Sequence, residues 1–303
     1  MKFTSFDGKE IYVHEWLEAE KPKGVVQILH GMAEHAKRYD AFAHYLNANG
    51  FIVVADDHRG HGKTDPESLG YAPGNMFADT VKDAAHITDH YKKEYPELPF
   101  FLMGFSYGSF LAQSYIAKYG EKLSAAIIAG SSHKKDLEVY LGSFVSGMGC
   151  MFSARKPAKL IEKLSFGAYE KKFEDREWLS VDGENNSAYR EDTFSGFTCS
   201  NRFYSDFFKG LRSLYTKEYI AKLPKDLPIL LASGQSDPVG NMGKGVKKLY
   251  EFYTDKAGME DVSMVLFENS RHEFLNEKTG RETKWGTLLE FLQSVQANSQ
   301  NCV

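Results

Sequence analysis

Five short apolar runs restrict this chain more than any other feature. They are Val25–Leu29, Phe51–Ala55, Phe100–Met103, Ala125–Ala129 and Pro228–Ala232, and they end at His30-Gly31, Asp56-Asp57, Gly104, Gly130 and Ser233-Gly234. A strand with one wet face alternates apolar and polar residues. These runs do not alternate, so they read as strands buried on both faces of a parallel sheet. A further strand is expected over Lys9–Leu17, after a turn at Asp7-Gly8, and another over Val262–Phe267.

Helical patterns lie between the runs. Phe42, Ala43 and Leu46 share a stripe before the stop signal Asn49-Gly50, and Val81, Ala84, Ala85, Thr88 and Tyr91 mark a helix ending near Tyr95-Pro96. Ser106–Tyr119 reads as a third helix, stopped by Gly120, and helices are also expected over Gly243–Ala257 and Thr283–Val295. The βαβ rhythm implies right-handed crossovers and helices on both sheet faces. It breaks between Ser131 and Lys225, where the patterns are helical only. The division is therefore a core of 1–130 and 226–303 with a helical insert at 131–225, and such inserts cover the strands' carboxyl ends, where parallel sheets bind ligands. Gln296–Val303 is polar and is expected to fray.

The chain has 303 residues, 42% hydrophobic and 26% charged, enough for a large core and unlike a disordered chain. Its net charge of −4 argues against a basic nucleic-acid-binding surface. Three cysteines, Cys150, Cys199 and Cys302, are too few and odd in number for a disulfide framework, which points to a reducing, cytoplasmic setting. The first eight residues lack the apolar run of a secretory signal. Leu98–Ala117 carries no charge, but Pro99, Gly104 and Gly108 suit a strand, a turn and a helix better than a membrane span.

Gly104-Phe105-Ser106-Tyr107-Gly108 fits G-x-S-x-G, and it stands between an expected strand and an expected helix. In that setting the glycines allow a sharp turn that lifts the Ser106 hydroxyl above the sheet. A serine hydroxyl needs a base, and a histidine base needs a carboxylate to orient it. Asp237 and His272 each follow a strand and come in the order Ser, Asp, His. Asp56 and Asp57 precede the serine and break that order. Two backbone amides would hold the developing oxyanion. Tyr107 follows the nucleophile, and Met32 follows Gly31 at the end of an early strand. His30, His35, His58 and His61 approach metal-ligand spacing, but without an accompanying cysteine they read as loop packing, so no metal is expected.

These motifs resemble the α/β-hydrolase superfamily, and within it the monoacylglycerol lipase and lysophospholipase-like serine hydrolases, a group sometimes joined with serine aminopeptidases. The likeness rests on His30–His35 with Arg38-Tyr39, Asp57–Gly62, Gly104–Ser109, Ser233–Gly240, and His272-Glu273 with Asn276-Glu277. Ala33 and Lys37-Arg38 stand where that family often has Gly and Ser. The resemblance implies an α/β-hydrolase fold with a mostly parallel central sheet and a helical cap. It implies Ser106 as nucleophile, His272 as base, Asp237 as orienting acid, and the Met32 and Tyr107 amides as oxyanion hole. The expected activity is hydrolysis of a small carboxylic ester or monoacyl lipid without a cofactor. A thioesterase, an aminopeptidase or an acyltransferase could use the same triad, and a low-turnover binding protein could use the same scaffold. Oligomeric state stays open.

Within the insert, Tyr140, Leu141, Phe144, Val145, Met148, Met151 and Phe152 fall on one helical face. Gly142, Gly147 and Gly149 weaken that helix by about 1 kcal/mol each relative to alanine. The face is either a lid over an acyl chain, with Phe144, Met148 and Phe152 touching substrate, or ordinary core packing. The insert holds 16 Lys and Arg against 13 Asp and Glu, and the remainder 21 against 28. That small basic excess is compatible with transient contact between the cap and an anionic membrane surface.

Overall fold

The computed structural model describes residues 1–135 and 137–300. Its eight strands are β1 (Lys2–Thr4), β2 (Glu10–Trp16), β3 (Gly24–Leu29), β4 (Phe51–Asp56), β5 (Phe100–Phe105), β6 (Ala125–Ala129), β7 (Ile229–Gly234) and β8 (Val262–Phe267). They form one sheet in the order β1-β2-β4-β3-β5-β6-β7-β8. β1 and β2 pair antiparallel, β2 runs antiparallel to β4, and every other pairing is parallel. β3 to β7 are buried at every position, which is why their sequences run apolar without alternation. β1 was not foreseen. It has three residues, two of them exposed, and so carries no apolar signal.

The flanking helices are α1 (Asp40–Ala48), α2 (Met76–Glu94), α3 (Tyr107–Tyr119), α9 (Lys244–Glu251) and α10 (Arg281–Gln300). One face of the sheet packs Leu102, Ile128 and Leu231 against α2, α3 and α9. The other packs Val26, Ile28, Met103 and Ile127 against Phe42 and Leu46 of α1 and Leu288 and Leu292 of α10. The alternation of Leu102 and Met103 between the two layers is the strand period made visible. Two helix limits differ from expectation. α9 stops at Glu251 and passes into a π turn at Phe252–Lys256, with Phe252 and Tyr253 both buried. α10 runs on past Val295 to Gln300, since no Gly or Pro stops it there. Residues 301–303, and Cys302 with them, lie outside the described residues, and Cys150 and Cys199 are unpaired thiols.

Between β6 and β7 the chain forms α4 (Leu137–Ser153), α5 (Lys159–Glu170), α6 (Gly183–Glu191), α7 (Asn201–Ser213) and α8 (Lys217–Lys222). α4 lies on α7 through its small residues. A Cβ on Gly142 would sit 2.3 Å from the Phe208 ring, and one on Gly149 would sit 2.7 Å from the Asn201 side chain. Two of the three glycines that cost the helix intrinsic stability, Gly142 and Gly149, thus allow the close approach of its neighbour, while Gly147 faces open space. The inward placement of Gly142 and Gly149 turns the large apolar side chains outward. Among the described residues no helix is long and apolar enough to cross a membrane.

Candidate active site

Strand order reverses at β3, between β4 and β5, and the carboxyl edge there is where open parallel sheets leave a crevice. Ser106 stands on that edge, between β5 and α3, at φ 54° and ψ −117°. A non-glycine residue held there stores about 1–3 kcal/mol of strain, so the surroundings must hold it. The Ser106 amide donates to the Ala129 carbonyl at 2.9 Å, and the Ser109 hydroxyl donates to the Ser106 carbonyl at 2.5 Å. The flanking glycines have a packing reason. A Cβ on Gly108 would lie 2.0 Å from the Leu29 carbonyl oxygen, and one on Gly104 would lie 2.3 Å from that of Gly108.

The structure brings the three sequence-derived side chains together. The Ser106 hydroxyl lies 2.8 Å from His272 Nε2, and His272 Nδ1 lies 3.0 Å from Asp237 Oδ2. A carboxylate only accepts, so Nδ1 carries the hydrogen and Nε2 is left to accept from the serine hydroxyl. Asp237 is fully buried and is held by the Ser233 hydroxyl and the Val239 amide. Burial pulls the His272 imidazole down, but the charge and hydrogen bond of Asp237, then Glu273 and Glu34, outweigh it and hold it above the ordinary histidine value.

Met32 lies in the turn after β3, next to Gly31, whose backbone comes close to the serine. A Cβ on Gly31 would come 3.3 Å from Ser106 Cβ. The amides on either side of Met32 are engaged, that of Gly31 with Glu34 Oε1 at 2.5 Å and that of Ala33 with His61 Nε2 at 3.3 Å. Tyr107 is the first residue of α3, where backbone N–H groups lack helical partners.

The histidine cluster packs this turn. His30 Nδ1 donates to the Gly31 carbonyl at 2.8 Å, His30 Nε2 accepts from the His58 amide at 3.0 Å, and His61 Nδ1 donates to the Arg59 carbonyl at 3.0 Å. Burial keeps His30 and His61 neutral, the latter pushed down to about 3.

Two features were not read from the sequence as parts of the site. Arg38 bridges Glu34 at 2.6 Å and Glu273 at 2.5 and 2.7 Å, while Asn185 of α6 donates to Glu273 at 2.6 Å. This buried network ties the turn bearing Met32 to the loop bearing His272. Glu34, Arg38 and Glu273 stand in the motif segments quoted above, which was the available signal, whereas nothing in the sequence marked Asn185. The second feature is Trp178, whose ring lies 5.3 Å from the His272 imidazole, while Phe105 lies 5.0 Å from it.

Phe144, Met148 and Phe152 do not join the triad in this structure. They are 66%, 46% and 86% exposed. Phe144 and Met148 line a surface groove of about 330 Å³ with Tyr140, Met151 and Arg212. Neither core packing nor a covered acyl chain describes that face as it stands, because α4 spends its inner side on α7.

Comparison with known proteins places the chain among hydrolases of this fold. The family model described as serine aminopeptidase, S33, matches residues 20–279. The monoacylglycerol lipase of Mycolicibacterium smegmatis is 26% identical over 278 residues, covering 91% of this chain and 90% of that protein. The monoglyceride lipase of Mus musculus is 35% identical over 102 residues, a match that covers only 34% of this chain and 33% of that protein. Among solved structures, a thermostable carboxyl esterase from Bacillus coagulans in complex with glycerol superposes with a TM-score of 0.88 at 27% identity, over 98% of both chains.

Proposed function

The chain belongs to the serine aminopeptidase S33 family of hydrolases, and from that premise we propose that it cleaves carboxylic esters, with monoacylglycerols or lysophospholipid-like monoacyl lipids as substrates. The observation that carries the reading is the hydrogen-bonded series Asp237, His272, Ser106 at the carboxyl edge of the sheet. In this reading Ser106 attacks the ester carbonyl while His272 Nε2 takes its proton. The Met32 and Tyr107 amides receive the oxyanion, His272 then protonates the departing alcohol, and water releases the acid from the acyl-enzyme. The scheme uses no cofactor. The monoacyl substrate class is favoured by the lipases among the relatives and by the glycerol-bound esterase of similar fold.

Residues 131–225 form the cap in this proposal. The outward apolar face of α4, followed by Arg155, Lys156 and Lys159, is the part suited to touch a lipid surface while substrate is drawn in. A fluorophosphonate probe tests the nucleophile, with labelling of the wild type and none of Ser106→Ala expected. Ser106→Ala and His272→Ala should each cut ester hydrolysis by about 10⁴-fold or more. A panel of monoacylglycerols, lysophospholipids, p-nitrophenyl esters and aminoacyl anilides sets the substrate class. Preference for the anilides would replace the lipase reading with an aminopeptidase.

A further inference from the structure

Trp178 is held over His272 with unusual redundancy. It lies in the stretch between α5 and α6, and its indole meets the imidazole at 5.3 Å between centroids and 33° between planes. Phe105 covers the imidazole at 5.0 Å and 38°. The residues around Trp178 are bound to the histidine loop. The Arg271 guanidinium donates to the Glu177 carbonyl and pairs with Asp175 at 2.8 Å. The Glu273 amide donates to the Leu179 carbonyl at 2.7 Å. The Val181 amide donates to Glu277 Oε1 at 3.1 Å. The neighbours of His272 in the chain thus grip both neighbours of Trp178. On its other side the indole meets Phe166 at 5.2 Å and Tyr169 at 5.3 Å, both on α5.

Taking the ester-hydrolase reading as its basis, we propose that Trp178 is a positioning residue: its ring fixes the imidazole plane between Ser106 and Asp237 and favours the imidazolium formed as the serine gives up its proton. Two physical effects act together. Aromatic cover on the imidazole excludes water, which strengthens the hydrogen bonds at both ring nitrogens. An aromatic face within about 6 Å of a cation attracts it, and the effect grows as the pair is desolvated. The charged and titratable groups around the imidazole are Asp237 and the Ser106 turn below it, Glu273 beside it with Arg38, Glu34 from the turn after β3, and Tyr169 on α5 facing Asp237. Tyr169 also packs on the indole, so Tyr169→Phe serves as the control that separates its contribution from that of Trp178.

The test compares Trp178→Phe with Trp178→Leu. Both keep an apolar cover, and only the former keeps a π face. Trp178→Leu is expected to lower kcat about tenfold with KM within about twofold. It should also move the acid limb of kcat/KM to lower pH by about half to one unit, because the imidazolium loses an attractive partner. Trp178→Phe should keep the wild-type limb and most of kcat. A second readout needs no turnover. The emission difference between wild type and Trp178→Phe isolates this indole from Trp16, which stacks near His14, and from Trp285. That difference should titrate with the acid limb and lose the transition in His272→Ala.

An unchanged limb and kcat in Trp178→Leu, or a fluorescence transition that survives His272→Ala, overturns the role of Trp178 and leaves the hydrolase reading intact. Absence of Ser106-dependent turnover in the wild type overturns the reading beneath it, and the role of Trp178 with it.

Discussion

The rim of the sheet around Ser106 and the outer side of α4 lie in one chain and follow opposite rules. At the rim, charged and polar groups are buried and every one named above has a partner. Arg38 reaches two carboxylates, Asp237 accepts three hydrogen bonds, and His30 and His61 each bond through both ring nitrogens. On α4, large apolar groups face water, with Phe152 and Met151 each 86% exposed. The contrast teaches that stability and geometry are concentrated at the rim, while α4 keeps apolar surface uncovered at little gain to the fold. Substitutions in the two regions should therefore fail differently.

The largest effect should come at the rim from the smallest chemical change. Asp237→Asn preserves shape, but the Val239 amide claims the remaining carbonyl oxygen and the new NH2 faces His272 Nδ1, which favours the wrong tautomer. A fall in kcat of about 10⁴-fold is expected with the melting transition little changed, measured on a soluble p-nitrophenyl ester. A loss under tenfold would detach Asp237 from the mechanism. Gly108→Ala comes next. Its methyl group would collide with the Leu29 backbone, so denaturant unfolding should show a loss of about 1–3 kcal/mol or more.

On α4 the expectation reverses. The triple change of Phe144, Met148 and Phe152 to serine should leave stability within about 0.5 kcal/mol, since all three are exposed. Its sedimentation with anionic vesicles should fall by tenfold or more, and its rate on monomeric ester should stay near wild type. Equal vesicle binding by wild type and variant would remove the contrast on which the lipid-surface role of α4 depends. The mildest effect is that of pH. The reaction needs His272 Nε2 unprotonated, and Asp237 with its neighbours holds that group above the ordinary value of about 6.5. The acid limb of kcat/KM should therefore lie above pH 6.5, with activity falling as pH drops through it. A limb well below 6 would contradict the electrostatics described.

Much of the rim could be read from sequence because strand ends are punctuated. An apolar run that gives way to glycine or polar residues marks the sheet edge: Ser106 follows Gly104, Asp237 follows Ser233-Gly234, and His272 follows Glu268-Asn269-Ser270. The network of Glu34, Arg38 and Glu273 stood within those same stops. Its geometry was not legible, since a pairing across 235 positions is written in tertiary packing and not in local pattern. Trp178 lies in a polar stretch with no period, so nothing local marks it. For α4 the apolar face was plain, but its direction was not. Two of the glycines read as weak points of a helix, Gly142 and Gly149, form its contact surface, and that inverts the assignment of inside and outside.

The grip of the histidine loop on residues 175–185 has a mechanical consequence. Ion pairs and backbone bonds from Arg271, Glu273 and Glu277 join that stretch to the sheet edge, and Asn185 adds to them. The insert therefore cannot swing away as a single door hinged at its two ends. Any route that widens for a substrate must open on the side of α4 and α5, with the stretch bearing Trp178 remaining behind as the fixed jamb.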